Sequence, residues 1–321
     1  MRVRLRPPVP GDAEPIWRAM QDPQTIDCLP FLPRPYLRED ATAFVLDGVG
    51  PDDLAIEVDG DFAGMIRGGA DLGYWLVPEY RGRGIMRRAA QIALLRHFAG
   101  TALPVQASHL NDNHASRRVL SALGFRDIGS TGIRRRGDNA LLPARAMRLS
   151  AGDFRAALSI RSPRCEITPM AEHDFPEQHR IATRPEVARM LLRFAPGQSL
   201  DQVAAALRPA MDPLHRPVRL AIRHRGGCIG SIGVAEGEAP SIFYFLAPET
   251  VGQGLASEIV PLFCDTVQDW YGLDRLSAEV FADNPASCRV LEKAGFRITS
   301  DAMLPSAGRE APAPGWLMRR G

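Results

Sequence analysis

Apolar and polar positions recur with two different periods along this chain, and the changes of period mark its elements. In DLAIEVDG and DFAGMIRGG the apolar residues fall mostly at alternate positions, which predicts a hairpin turning at Asp59-Gly60, and DLGYWLV follows as another strand. From Ile85 to Phe98 the spacing becomes helical, with Ile85, Ala89, Ile92, Ala93 and Leu95 on the apolar positions. VQASHL returns to a strand, and HASRRVLSAL reads as a short helix closed by Gly124. This order predicts an α/β (α+β) unit: a mostly antiparallel mixed sheet flanked by helices, with one strand–loop–helix anion site.

The same order occurs twice. YWLVPEYRGRGIM from Tyr74 has a counterpart in YFLAPETVGQGLA from Tyr244, so Tyr74, Pro78, Gly82 and Gly84 map onto Tyr244, Pro248, Gly252 and Gly254. Further on, NHASRRVLSALGF (Asn113 to Phe125) matches NPASCRVLEKAGF (Asn284 to Phe296), and the two matches are displaced by 170 and 171 residues. A period this long is a duplicated domain and not a solenoid. The expected organisation is one domain over residues 1–150, a second over 165–321, and a turn-rich linker of about 151–164 between them.

Composition narrows the class. The 321 residues are 45% hydrophobic and 24% charged, ordinary values for a globular chain, and a net charge of +2 gives no electrostatic reason to expect nucleic acid or an anionic membrane as partner. Lys293 is the single lysine, every other cation being arginine. No apolar run approaches the ~18 residues of a membrane span, and the start lacks the apolar core of a signal peptide. A soluble, cytoplasmic protein is expected. The five cysteines, Cys28, Cys165, Cys228, Cys264 and Cys288, are odd in number and scattered, which fits reduced thiols and no metal site. His109 and His114 lack the i, i+4 spacing of a helical metal pair.

RGRGIM (Arg81, Gly82, Arg83, Gly84, Ile85, Met86) and VGQGLA (Val251, Gly252, Gln253, Gly254, Leu255, Ala256) each stand between an apolar strand and a helix. The first N–H groups of a helix have no partner within it, so such a loop suits an anion, and glycine lets the backbone come close. Neither loop is a nucleotide P-loop, and neither completes GxGxxG. A tight strand-to-helix turn explains G-x-G by itself; the repeat and the paired N-x-A-S-x-x-V-L-x-x-x-G-F segments carry the functional reading.

Together these motifs resemble the GNAT superfamily of acyl-CoA-dependent N-acyltransferases, and LGYWLVPEYRGRGIM most resembles its RimJ/RimL branch of ribosomal-protein N-terminal acetyltransferases. The resemblance covers nearly the whole chain, twice. It implies two pyrophosphate loops for acetyl-CoA, Arg81 to Met86 and Val251 to Ala256. Leu76, Val77, Leu246 and Ala247 would lie beside pantetheine, Asn113 and Asn284 would contact the coenzyme, and Ser116 and Ser287 would sit near its sulfur. It also implies that the segments before the first hairpins, EPIWRAMQDPQTIDCLPFLPRPY and FPEQHRIATRPEVARMLLRF, shape the acceptor pockets. The departures from the family pattern are Val251 where the loop begins with Arg, Gln or an aromatic, Met86 where it ends with Gly or Ala, and Arg87-Arg88 where Thr-Glu is common.

The implied reaction is direct attack of a primary amine on the thioester. A free α-amino group, with a pKa near ~8, needs less help to lose its proton than lysine near ~10.4. Asp71, three residues before Tyr74, is the candidate base, and its counterpart Ser241 has no carboxylate. A strand amide near Val77 is the expected oxyanion donor, and Ser116 the weak acid for the leaving thiolate. Arg81, Arg83, Arg87 and Arg88 beside the first loop, against Glu258 beside the second, predict tighter coenzyme binding by the first unit. Tyr74, Trp75, Tyr244 and Phe245 read as sheet core, and Arg134-Arg135-Arg136 as a solvated hairpin. Cys264 or Cys288 as an acyl-accepting nucleophile lacks a visible base partner. The acceptor is a protein N-terminus or a small amine, and the chain a monomeric pseudo-dimer or a homodimer. A non-catalytic acyl-CoA-binding or scaffold protein, with one or both domains degenerate, is the alternative.

Overall fold

The computed structural model describes all 321 residues, which form two compact units, Met1–Ala157 and Leu158–Gly321. In the first, β1 (Val3–Arg6) leads to three short helices, α1 (Ala13–Met20), α2 (Pro23–Asp27) and α3 (Arg38–Ala43). The predicted hairpin follows as β2 (Asp53–Val58) and β3 (Asp61–Gly68), and its turn residues Asp59 and Gly60 have φ of 52° and 103°. Two positive φ values in a two-residue loop match the twist of the flanking strands, which is why Asp-Gly belongs there. Next come β4 (Leu72–Leu76), α4 (Ile85–Gly100), β5 (Val105–Leu110), α5 (His114–Ala122), β6 (Arg126–Arg134), β7 (Leu141–Leu149) and α6 (Ala151–Ala157).

Strands β1-β2-β3-β4 make one antiparallel sheet and β5-β7-β6 another. The sheets touch through a single parallel bridge, Asp71 with Gln106, where the Gln106 amide donates to the Ala70 carbonyl at 2.7 Å. Beyond it β4 and β5 share no ladder, so one edge of β4 is left unpaired. Below the sheet α4 buries Ile85, Ala89, Ile92 and Leu94, each worth ~1.5–3 kcal/mol where a large aliphatic side chain is fully enclosed. On the other face Ile16, Met20, Tyr36 and Val45 from the helical segment pack on Ala55 and Met65.

The second unit repeats the plan with β8 (Ile160–Arg161), β9 (Cys165–Pro169), α7 (Phe175–Ala182), α8 (Pro185–Ala188), α9 (Leu200–Leu207), β10 (Val218–His224), β11 (Gly227–Val234), β12 (Ile242–Leu246), α10 (Leu255–Tyr271), β13 (Leu276–Phe281), α11 (Pro285–Lys293), β14 (Arg297–Leu304) and β15 (Ala313–Arg320). Its sheets run β12-β11-β10-β9-β8 and β13-β15-β14, again joined by one parallel bridge, Ser241 with Ser277. Lys293 ends α11 and is exposed.

Each unit buries one aspartate ahead of its first long helix, and each satisfies it differently. Asp12 accepts the Val9 amide at 2.9 Å and a forked contact from Arg6 of β1 at 2.7 and 2.9 Å. Asp174 accepts the Ala171 amide at 3.0 Å and takes its arginine, Arg223 at 2.9 Å, from β10.

The stretch 151–164, expected as a linker, is folded. Phe154 of α6 is buried with its ring 5.5 Å from that of Phe98, and β8 pairs with β9. Phe154, Leu158 and Ile160 are the apolar residues responsible, scattered among charged and small neighbours that conceal any period.

Candidate active sites

The two glycine loops have nearly the same backbone. Gly82 and Gly84 have φ of 72° and 74°, Gly252 and Gly254 of 81° and 74°, a region costly for residues with a Cβ. The consequence is a run of unpaired donors: the amides of Gly82, Arg83, Gly84, Ile85 and Met86 make no backbone hydrogen bond, and neither do those of Gly252, Gln253, Gly254, Leu255 and Ala256. Five amides at the positive end of a long helix form an anion cradle in each unit. A Cβ on Gly82, Gly84 or Gly252 would stand in open space, so the cradles are accessible. A pyrophosphate fits this donor set.

The arginines are arranged differently from the expectation. Arg81 turns away from its loop: its guanidinium pairs with Asp22 at 2.7 Å, meets the Thr25 hydroxyl, and reaches Gln24 at 3.1 Å, while its amide donates to the Pro78 carbonyl. Arg81 therefore ties the loop to α2, and neither its side chain nor its amide is free for phosphate. The Asp22 carboxyl is held below the usual range: partial burial opposes ionisation, but the Thr25 hydroxyl and Arg81 outweigh it. Arg83 stays exposed, its guanidinium 5.6 Å from the centre of the Tyr80 ring. In the second unit Glu258 accepts from the Arg164 amide at 3.0 Å and its Nε at 2.7 Å, while Arg164 Nη1 donates to the Gln253 carbonyl at 2.8 Å. Arg164 Nη2 lies 3.7 Å from where a Cβ on Gly254 would be. The second loop thus has an arginine of its own, and the difference in charge between the loops is smaller than the sequence suggests. Arg164 lies 87 residues before Val251, so no local signal points to it.

Asn113 and Asn284 cap α5 and α11. Asn113 Oδ1 accepts from the Ser116 amide at 3.0 Å, and Asn284 Oδ1 from the Ser287 amide at 3.1 Å, which spends the side-chain oxygen on the helix and leaves the NH₂ group as the donor for a ligand. Each serine hydroxyl meets a tyrosine that the sequence assigned to the core. Tyr74 Oη is 3.0 Å from Ser116 Oγ, and Tyr244 Oη is 2.8 Å from Ser287 Oγ. Burial pushes both phenols up to about 12, against the opposing hydrogen bond from serine, so both hydroxyl pairs stay neutral and keep their protons at ordinary pH. The signal was present in the repeated Tyr and Ser, but only the fold brings them together.

In the first unit these groups open into one cavity of about 1240 Å³ lined by Gly82, Ser116, Asp71 and His109 among others. Asp71 sits at the bridge between β4 and β5, exposed and making no hydrogen bond. His109 is buried, and its Nδ1 lies 2.8 Å from the Leu110 carbonyl. A carbonyl only accepts, so Nδ1 carries the hydrogen and the neutral ring presents Nε2 as its lone pair. Sequence reasoning weighed His109 only as a metal ligand; its counterpart is Val280. No group of histidine, cysteine or carboxylate residues is placed to hold a metal ion, and no helix is long and apolar enough to cross a membrane.

The expected oxyanion donor is displaced. The Val77 amide donates to the Ala63 carbonyl at 3.0 Å, and the Ala247 amide to the Ile229 carbonyl at 2.8 Å. Successive strand amides point to opposite edges, so the amide of Leu76 faces the unpaired side of β4, and that of Leu246 the corresponding side of β12.

A family model described as an acetyltransferase (GNAT) domain matches residues 2–126 and again 164–297. No curated protein matches the chain. Solved structures with a similar arrangement include RimL, a ribosomal L7/L12 alpha-N-protein acetyltransferase in complex with coenzyme A, at 17% identity, covering 51% of this chain and 97% of that one with a TM-score of 0.45. The spermidine N-acetyltransferase of Vibrio cholerae in complex with CoA and spermine aligns at 15% identity over 49% and 95% of the two chains, TM-score 0.44. RimJ of Mycobacterium smegmatis in complex with CoA-disulfide aligns at 20% identity over 48% and 80%, TM-score 0.42.

Proposed function

The chain belongs to the GNAT family of acetyltransferases, whose domain it carries twice, and from that premise we propose that its first unit transfers the acetyl group of acetyl-CoA to a primary amine. Acetyl-CoA, the standard donor of this family, supplies the acyl carbon activated as a thioester. One observation carries the reading: Gly82 and Met86 of the five-amide cradle, the Tyr74–Ser116 pair, Asp71 and His109 border a single cavity. The cradle amides and Arg83 hold the pyrophosphate, the Asn113 NH₂ group and the open edge of β4 orient the arm, and the Leu76 amide faces the charge that develops on the carbonyl oxygen. Asp71 takes the proton of the attacking amine through water, with His109 Nε2 the second acceptor in reach of the cavity. The Ser116 hydroxyl, backed by the Tyr74 phenol, donates a hydrogen bond to the departing thiolate, whose pKa of ~8.5, by analogy with cysteine, lets it leave without full protonation. The acceptor amine enters from the side of α1 to α3, as a protein N-terminus or a small molecule.

For the second unit we propose coenzyme binding without comparable turnover. It keeps the cradle and the hydroxyl pair, but Ser241 and Val280 replace Asp71 and His109. Native mass spectrometry of the intact chain with acetyl-CoA, followed by acetylation of spermidine, an aminoglycoside and an N-terminal peptide, tests both readings. The expected result is two bound coenzymes and acetyl transfer that disappears in Gly84→Val but persists in Gly254→Val. Coenzyme binding without transfer to any of the three amines would favour a scaffold over an enzyme, and transfer lost only in Gly254→Val would reverse the assignment of the units.

A further inference from the structure

Three neighbouring strands of the second unit align one residue each in a row that has no parallel in the first. Arg219 of β10 is in register with Gly233 of β11, and Gly233 with Phe243 of β12. A Cβ on Gly233 would lie 2.3 Å from the Phe243 ring, so the glycine leaves the space in which that ring lies across the sheet. The Arg219 guanidinium stands 4.3 Å from the centre of the Phe243 ring, with Phe194 at 5.6 Å and Phe245 at 6.0 Å completing an aromatic surround. At the same register the first unit has Asp53, Arg67 and Gly73, and there the charges cancel internally: Arg67 grips Asp53 at 2.8 and 3.1 Å.

Arg219 has no such partner. Its only hydrogen bond goes from Nη1 to the Ser231 hydroxyl at 2.8 Å, and no carboxylate pairs with it or with Arg193, the charge that acts on it. Burial, reinforced by the Arg193 cation, disfavours its charged form. Guanidinium is never deprotonated in practice, so the chain holds a half-buried cation against three rings with no carboxylate beside it, and its remaining N–H groups, which no protein atom accepts, are open to a ligand. The rings favour an apolar body beside that anion, and the planar fork of arginine matches a carboxylate through two parallel N–H groups.

We propose that the row Arg219–Gly233–Phe243, with Ser231 and Phe194, is a binding site for a carboxylate borne on an apolar, ring-sized body. The site requires no acetyl transfer by either unit, so binding itself is the readout. Calorimetric titration of the full chain with 3-phenylpropionate, its uncharged amide and inorganic phosphate tests it. The carboxylate should bind, the amide at least tenfold more weakly, and phosphate more weakly than the carboxylate. Arg219→Met, whose side chain suits the aromatic surround, should lose carboxylate binding at least tenfold while melting at the same temperature or higher. Should that variant fold poorly, Arg219→Lys keeps the charge without the fork and should still bind several-fold more weakly. No binding by the native chain, equal binding of carboxylate and amide, or undiminished binding by the folded variants would overturn the proposal, and phosphate binding as tightly as the carboxylate would refute the apolar body.

Discussion

Set side by side, the loops after β4 and β12 offer the same five unclaimed amides and the same tyrosine–serine pair, yet the strands around them have diverged. Asp71 and His109 of the first unit correspond to Ser241 and Val280 of the second, and Asp53–Arg67–Gly73 to Arg219–Gly233–Phe243. What is retained is backbone geometry, set by glycines at φ of 72–81°, where a Cβ is strained, and by helix caps that need a short polar side chain. What has changed is ionisable side chains on strands whose pairing does not depend on them. On the proposed reading, a duplicated domain keeps its anion cradle by conformational necessity while the side chains around the acceptor change.

The largest effect that tests this division is on coenzyme occupancy. Gly84→Val places a branched side chain where the chain requires φ of 74°, so the first unit should lose its coenzyme and with it acetyl transfer, the count in native mass spectra dropping to one. If Gly84→Val still binds two, the cradle is not the coenzyme site. Asp71→Asn comes next: kcat should fall by ~10², the lower end for general-base assistance, at unchanged coenzyme affinity. Installing the carboxylate in the other unit by Ser241→Asp sharpens the comparison, because any gain of acetyl transfer in a Gly84→Val background would belong to the second unit alone. His109→Gln that moves the acidic limb of the pH profile when Asp71→Asn does not would make the histidine the base.

Tyr74→Phe should reduce turnover by only a few-fold to ~10-fold, removing one hydrogen bond of ~1 kcal/mol. Because the phenol is pushed up to about 12, its proton is in place throughout the measurable range, and the alkaline limb should be unchanged by the substitution. The smallest effect concerns stability. Asp12 has its carboxyl lowered: burial opposes ionisation, but Arg6 and the Val9 amide overcome it. A depressed folded pKa stabilises above the unfolded value near ~3.9, and that contribution is lost as pH falls through the folded pKa. Asp12→Asn should therefore lower the melting temperature by a few degrees at pH 7, with the difference shrinking as acid protonates the native residue.

The hairpin, the glycine loops and the capped helices were legible in the sequence because each is decided within a few residues by turn chemistry, period or cap. The Tyr74–Ser116 pair was half legible: both residues repeat, but their contact spans 42 positions. Arg81 shows the opposite case. Beside two glycines it reads as a phosphate ligand, and only the folded α2, with Asp22 and Thr25, shows where its charge goes. The Val77 amide was lost to the same kind of ignorance, since which edge of β4 it faces is fixed by pairing with β3. Arg164 was missed because its partners Gln253 and Glu258 lie 89 and 94 residues away, and His109 because only the fold places it on the cavity with Asp71.

Lys293, exposed at the end of α11, is the only side-chain amine in the chain. The proposed acetyl transfer is thus almost blind to this chain, which presents one side-chain amine for self-modification. The mass of the intact protein recovered after turnover is therefore an internal control, since an N-acetyl increment on a side chain lies at Lys293 alone and Lys293→Arg removes it.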